Sequence, residues 1–289
     1  MGAETATSVS LAANAKVNLH LGIYPGRDER GYHRADSIMI ALELHDEVTA
    51  APADQLEVRV TPELDVPVEK TLIARTARAL AEEFGIEAGA HIELVRHIPD
   101  KSGLGSASTD TAATIRALCK LWNIDEKDPR VLALARRSGA DVAFFLNPMP
   151  SWLDGVGDNL REVYPALIGV PVVLARPAGG VSTPAAYAEF DRNPIEPQPI
   201  DAMADALKAS DARLVADALY NNLAPAACAI EAEEQTVVDT LAACDGVLAA
   251  QVTGSGSCVF GLCESDEAAQ VAADVAAAHG WWSLATHTA

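Results

Sequence analysis

Residues 98–122 read IPDKSGLGSASTDTAATIRALCKLW, and the change of texture inside that stretch decides what kind of chain this is. A short strand is predicted over 91–97. Behind it Pro99 opens a loop, and small residues then accumulate: Ser102, Gly103, Gly105, Ser106, Ala107, Ser108 and Thr109, with Leu104 among them. From about there Ala112, Ile115, Cys119 and Trp122 recur at helical spacing on one face. A strand, a small-residue loop and a helix in that order form an anion site. The first helical turn offers N–H groups with no intrahelical acceptor, and its dipole favours negative charge. Glycine lets the backbone approach phosphate oxygens closely. Lys101 is the only positive side chain inside the loop, and Asp110 suits the helix dipole or a metal contact. The loop is neither a Walker A motif, which needs G-x-x-x-x-G-K-[ST], nor a dinucleotide fingerprint, whose third glycine is replaced by Ser108. On local physics alone, a simple Gly/Ser helix start stays open beside phosphate binding.

Working outward, residues 9–23 alternate as a strand, and Asn14, Lys16 and Asn18 share one of its faces because side chains repeat every two residues. A polar N-x-K-x-N face is odd for a core and natural for a site, with an exposed strand face as the bland alternative. Asp141 stands in SGADVAFFL, after a helix stopped at Gly139 and before an apolar run. Such an acid is either anchored and tunable by its neighbours or a surface turn aspartate. The three segments together permit phosphoryl transfer: a loop that cradles phosphates, Asp141 to take a hydroxyl proton, and Lys16 to keep Asp141 ionised and offset charge. Positioning and electrostatics dominate that chemistry, so few side chains are required.

Composition narrows the class further. The 289 residues suggest one large domain or two modest ones, and 49% are hydrophobic, with alanine the commonest residue and aromatics only 5%. Lys and Arg total 21 against 41 Asp and Glu, a net charge of −20 that disfavours nucleic-acid or anionic-membrane binding. Cys119, Cys228, Cys244, Cys258 and Cys263 form no C-x-x-C pair and read as reduced, partly buried thiols. No charge-free run reaches 18 apolar residues, and residues 1–19 lack the pattern of a leader. Both point to a cytoplasmic protein. Strands are expected near 34–50, 55–60 and 169–177, and helices over 69–84, 128–139 with its stop at Gly139, and 265–280, the last with Ser265 as N-cap. Residues 140–148 are expected as a short strand or turn and 147–158 as loop. Residues 246–265 read as strand, tight turn, strand. The fold class is α+β.

At this point the chain resembles the GHMP-type small-molecule kinases, whose P-x-x-x-G-L-G-S-S-A form is close to residues 99–108. Four further segments are similar to those of the 4-diphosphocytidyl-2-C-methyl-D-erythritol kinases within that superfamily: NAKVNLHLGI at 14–23, RGYHRADSIM at 30–39, SGADVAFFL at 138–146 and QVTGSGSCVFGL at 251–262. The resemblance implies an N-terminal ATP-binding domain over 1–160, like the second domain of ribosomal protein S5, and a ferredoxin-like domain over 161–289. It implies ATP and Mg2+ as cofactors, with no resident metal ligands. Asp141 matches the base and Lys16 its partner. Pro99 and residues 101–109 match the nucleotide loop, and Asn18 a residue near the diphosphate and the reacting hydroxyl. Tyr32 and Tyr187 match the two aromatics that sandwich a cytosine, and His33 the residue that reads its edge. Gly254, Ser255 and Gly256 match a second glycine turn near the substrate. The implied partner is a small molecule, and the implied state a monomer or weak homodimer.

The chain departs from the family pattern at Lys101 and Ser102, where glycine is usual. It also departs at Ala143 for proline, at NPMP over 147–150, at Thr71 for an asparagine before a helix, and at NNLAP over 221–225. A homoserine, mevalonate or sugar kinase, or a catalytically idle nucleotide-binding paralogue, are the alternative functions.

Overall fold

A computed structural model describes residues 8–64 and 66–289. The reading of residues 1–7 as free of a leader lies outside them. The described chain forms two compact units that interleave along the sequence. Two strands run through both: β1 (Val9–Ile23) and β2 (Ala35–Ala53).

The first unit comprises residues 8–15, 45–98 and 105–147. In it β3 (Glu57–Thr61) lies parallel to β4 (Gly89–Val95), and β4 is antiparallel to the end of β2, with Val48 opposite Leu94 and Ala50 opposite Ile92. Alternation buries Val48, Ala50, Ala90, Ile92 and Leu94 on one face. Three helices accompany these strands: α1 (Leu72–Phe84), α2 (Ser106–Leu121) and α3 (Pro129–Ser138). Thr71 caps α1 by accepting the Ala74 amide, and Gly85 ends it in the left-handed conformation. Asp128 caps α3, whose Pro129 sits at the first helical position, where its missing N–H costs nothing. Helix α2 is buried over most of its circumference, from Thr109 to Cys119.

Residues 142–145 are a correction to the expected strand or turn: Val142–Phe145 is a single helical turn, α4. A four-residue apolar run cannot tell strand from helix by periodicity. Here the helical turn puts Val142 and Phe145 three apart on one side, and Phe144 and Phe145 meet edge to face at 5.1 Å.

The second unit comprises residues 16–44, 99–104 and 148–289. Its first sheet carries the early part of β2, which pairs with β5 (Ser151–Asp154), which in turn pairs with β6 (Asn159–Val163). The expected loop over 147–158 therefore contains a strand, because Ser151–Asp154 finds an open edge at Ser37–Met39. The second sheet begins with β7 (Pro171–Arg176). Helices α5 (Thr183–Phe190), α6 (Asp201–Ala209) and α7 (Ala212–Asp217) follow, then the two-residue β8 (Tyr220–Asn221), parallel to β1. Beyond it come α8 (Ala224–Ile230), α9 (Glu233–Ala242), β9 (Val247–Val252), β10 (Val259–Cys263), α10 (Asp266–Ala278) and β11 (Trp282–His287). Ser265 caps α10 as its sequence predicts. The strand order β11-β7-β10-β9 is antiparallel throughout, the order expected of a ferredoxin-like sheet. Its core joins Val173, Ala175, Val252 and Val259 to Leu241 of α9 and the alanine face Ala269, Ala272, Ala273 and Ala276 of α10. Small side chains let that helix lie close on the sheet.

Candidate active site

Helix α2 begins at Gly105, which has φ +82° and offers no side chain to cap the helix. The first intrahelical bonds run from the Ser108 and Thr109 amides to the Gly105 carbonyl, at 3.0 and 2.9 Å. The amides of Ser106 and Ala107 precede them, at a helix start of the kind that suits an anion. Asp141 stands immediately before α4, and the Phe145 amide bonds its carbonyl. A Cβ at Gly139 would come 3.3 Å from Val142 and 3.9 Å from Ser108 Oγ, so the turn that carries Asp141 lies against the first turn of α2. Within the first unit, a half-buried acid and an uncapped helix start are neighbours.

In the second unit the loop before that helix is braced from several sides. Ser102 is buried; its hydroxyl donates to the Pro99 carbonyl at 2.7 Å, and its carbonyl accepts the Cys258 amide at 3.0 Å. Arg176, which sequence reasoning missed, donates to the Asp100 carbonyl at 2.7 Å and to the Gly179 carbonyl at 3.3 Å. Gly103 has φ +77°, and a Cβ there would meet the Thr253 carbonyl oxygen at 2.3 Å, so no other residue fits. Lys101 holds φ +51°, a conformation that glycine adopts freely. The family's usual glycine thus has a backbone reason, and this chain carries a lysine in its place.

Lys16 is 4% exposed. Its amide donates to the Leu104 carbonyl at 3.0 Å, and its ammonium donates to Asn18 Oδ1 at 2.6 Å. Asn18 in turn donates through its side chain to Ser37 Oγ at 2.9 Å and through its amide to Thr253 Oγ1 at 3.1 Å. The i,i+2 face read from the sequence is therefore a buried polar network, which fixes both side chains. Gly254 closes it: a Cβ there would lie 3.5 Å from Lys16 Nζ and 3.6 Å from Asn18 Oδ1. That missing side chain leaves a cradle beside the ammonium. Asn221 holds the turn by donating to the Val252 and Gly254 carbonyls at 2.8 and 2.9 Å, and Ser255 Oγ lies 2.9 Å from Thr183 Oγ1. Thr253, Ser37 and Asn221 were not singled out in the sequence, since each acts through a partner far along the chain.

A second group gathers on the β1–β2 connection. The His33 side chain is buried, its ring 5.4 Å from that of Tyr187 and edge-on to Phe190 at 5.8 Å. Its Nδ1 meets the Tyr24 carbonyl at 2.9 Å, and its Nε2 lies 3.0 Å from Asp191. Tyr32 is 58% exposed, with the Arg30 guanidinium 5.7 Å from its ring centre. Lys16, Asn18, Gly103 and Gly254 thus form one cluster and His33 and Tyr187 another. Asp141 and residues 105–109 belong to the first unit. Among the described residues no group of three or more His, Cys, Asp or Glu could hold a metal, and no helix is long and apolar enough to cross a membrane.

The comparisons with known proteins agree with this geometry. Residues 71–147 match the GHMP kinases N terminal domain, and residues 203–280 match the GHMP kinases C terminal domain. The 4-diphosphocytidyl-2-C-methyl-D-erythritol kinase of Parvibaculum lavamentivorans is 34% identical, over 95% of this chain and 96% of its own length. That of Rhodospirillum rubrum is 36% identical, over 97% and 92%. A crystal structure of 4-(cytidine 5'-diphospho)-2C-methyl-D-erythritol kinase superposes with a TM-score of 0.81 at 29% identity, covering 96% of this chain and 98% of that one. A homoserine kinase from Cytophaga hutchinsonii shares the fold at a TM-score of 0.71 and 22% identity, over 100% of this chain and 96% of that one. Two α+β domains, an uncapped phosphate-type helix start and full-length similarity converge: the chain belongs to the 4-diphosphocytidyl-2-C-methyl-D-erythritol kinase family of the GHMP kinases.

Proposed function

We propose that this chain transfers the γ-phosphate of ATP to the 2-hydroxyl of 4-diphosphocytidyl-2-C-methyl-D-erythritol, giving ADP and the 2-phosphate. Asp141 takes the hydroxyl proton, and Lys16 places a positive charge beside the reacting oxygens. Asn18 holds the ammonium's direction through its 2.6 Å bond. The first-turn amides of α2 and the backbone of 99–105 take the triphosphate, with Lys101 at its edge. ATP with Mg2+ supplies the phosphoryl group. The backbone amides at the uncapped start of α2 suit phosphates that bring their own cation. Tyr32 and Tyr187 enclose the cytosine, whose edge is read at His33, largely by backbone groups because both ring nitrogens face protein oxygens. Gly254 gives the diphosphate room at the Lys16 cradle, and Ser255 and Gly256 complete that turn. We place the boundary between the two family domains near residue 160, between the two matched stretches.

The observation that carries this reading is the pairing of the uncapped α2 start with the Asp141 turn at Ser108. Purified protein should release ADP with the cytidylated alcohol and not with homoserine, mevalonate or sugars. Asp141→Asn should keep substrate binding and lose roughly two orders of magnitude or more in kcat, the usual scale of acid–base catalysis. ADP release indifferent to the acceptor would sink the assignment, and a near-normal rate in the variant would sink the base.

A further inference from the structure

One buried carboxylate has no part in the reaction just described, yet it sits at the root of the glycine loop. Asp46 lies on the inward face of β2, two residues before Val48 and four before Ala50, and is wholly buried. Its Oδ1 accepts the amides of His97, at 2.5 Å, and Ile98, at 2.7 Å, the residues by which the chain leaves β4. Its Oδ2 accepts the Ser106 hydroxyl in a longer bond of 3.4 Å, and Ser106 Oγ accepts from Arg96 Nη2 at 3.2 Å. The Arg96 amide is itself fixed to the Thr61 carbonyl at 2.8 Å. All these residues belong to the first unit. One carboxylate therefore ties the last residues before the loop to the first residue of α2 after it.

We propose that Asp46 is a positioning residue for nucleotide binding: it closes the 99–105 loop at its base and so presets the Ser106 and Ala107 amides. The inference rests on the reading of that loop as the triphosphate site. An inward position on a buried strand face is ordinarily apolar, because an ionised side chain is costly to bury. A carboxylate is retained where several donors converge, and here two amides and a hydroxyl do so. Closing the ends of the loop removes conformations that the phosphates would otherwise have to select, and preorganisation of that kind appears as affinity. Asp46 is wholly buried and both its oxygens are taken by protein donors, so its removal acts through the loop on nucleotide binding and leaves the acceptor site alone.

The test is Asp46→Asn, which keeps the side-chain size and one acceptor oxygen. Loss of hydrogen bonds to a charged group should raise the KM for ATP about tenfold, with the acceptor KM changed less than about twofold. Amide hydrogen exchange in the free protein should quicken at 97–106 and stay as in wild type elsewhere. If that variant does not fold, Ser106→Ala leaves the carboxylate with its two amides and should raise the ATP KM and the exchange at 99–106 in the same direction, by less. In the double variant the two effects on ATP KM should fall short of their sum, as for residues acting through one network. Equal rises in both KM values, or unchanged ATP KM and exchange, would overturn the clasp and leave the kinase reading standing. A wild-type protein that does not consume ATP with the cytidylated alcohol would overturn that reading, while the exchange difference would still report on the clasp.

Discussion

Glu234 is fully buried beneath the second glycine turn, and neither of its carboxylate oxygens has a hydrogen-bond partner among the described residues. A Cβ at Gly256 would lie 2.6 Å from both oxygens, so the turn packs directly on the acid. Burial, and to a lesser degree the nearby Glu231, push its pKa up from 4.5 to about 7. The folded protein therefore holds a proton between about pH 4.5 and 7 that the unfolded chain has released. Protonation favours the folded state fully below 4.5, and that contribution is lost as pH rises through 7. Glu234→Gln, neutral at every pH, should melt near wild type at pH 5 and gain a few degrees over it by pH 8.5, read by thermal melts across that range. A difference in Tm that does not vary with pH would show that the acid is not protonated in the fold. Lys16 and Asn18 were legible as a pair because strand periodicity fixes which residues share a face. Glu234 was not, because EAEEQ reads as a solvated helix start, and only a turn about twenty residues later buries it.

At the scale of elements, one departure from the family is a helix cap. Thr71 replaces the asparagine usual before this helix, and the structure gives it the N-cap: it accepts the Ala74 amide at 3.3 Å and donates to the Val68 carbonyl at 2.6 Å. Asparagine caps a helix at least as well as threonine, so the departure keeps the cap. Thr71→Ala should cost about 1 kcal/mol, and Thr71→Asn should stay within a few tenths of wild type, both read from urea midpoints. Equal loss in the two variants would mean that threonine's methyl packing, not its hydroxyl, matters there. The long periodic elements, β1, α1, α2 and α10, were legible because their apolar pattern holds over many residues, and α1 and α10 carry capping residues besides. Strand β5 and the turn α4 were not. Each is four residues long, and its state is set by a partner: the edge of β2 for Ser151–Asp154, and packing against α2 for Val142–Phe145. The glycine loop was legible as a motif. Its brace from Arg176 and its clasp at Asp46 were not, since both residues stand far from it in sequence.

Over the whole molecule, the cysteines that read as plain reduced thiols become reporters. All five are free, and Cys119 is the only one in the first unit, while Cys228, Cys244, Cys258 and Cys263 belong to the second. Burial pushes the thiols of Cys119 and Cys258 up to about 12 and that of Cys263 up to about 11, so the folded protein should react with none of them at neutral pH. Strand β1 leaves the first unit after Ala15, and strand β2 enters it at His45. Melting the first unit alone would have to break both strands in mid-run, where their neighbouring residues stay paired in the second. Such a boundary has no natural end to fray from, which predicts a single unfolding transition. Pulsed thiol labelling along a urea gradient, read by mass spectrometry, should give Cys119, Cys258 and Cys263 the same midpoint. An early midpoint at Cys119 alone would show that the strands part where the units meet along the chain, and that the fold is two separate transitions.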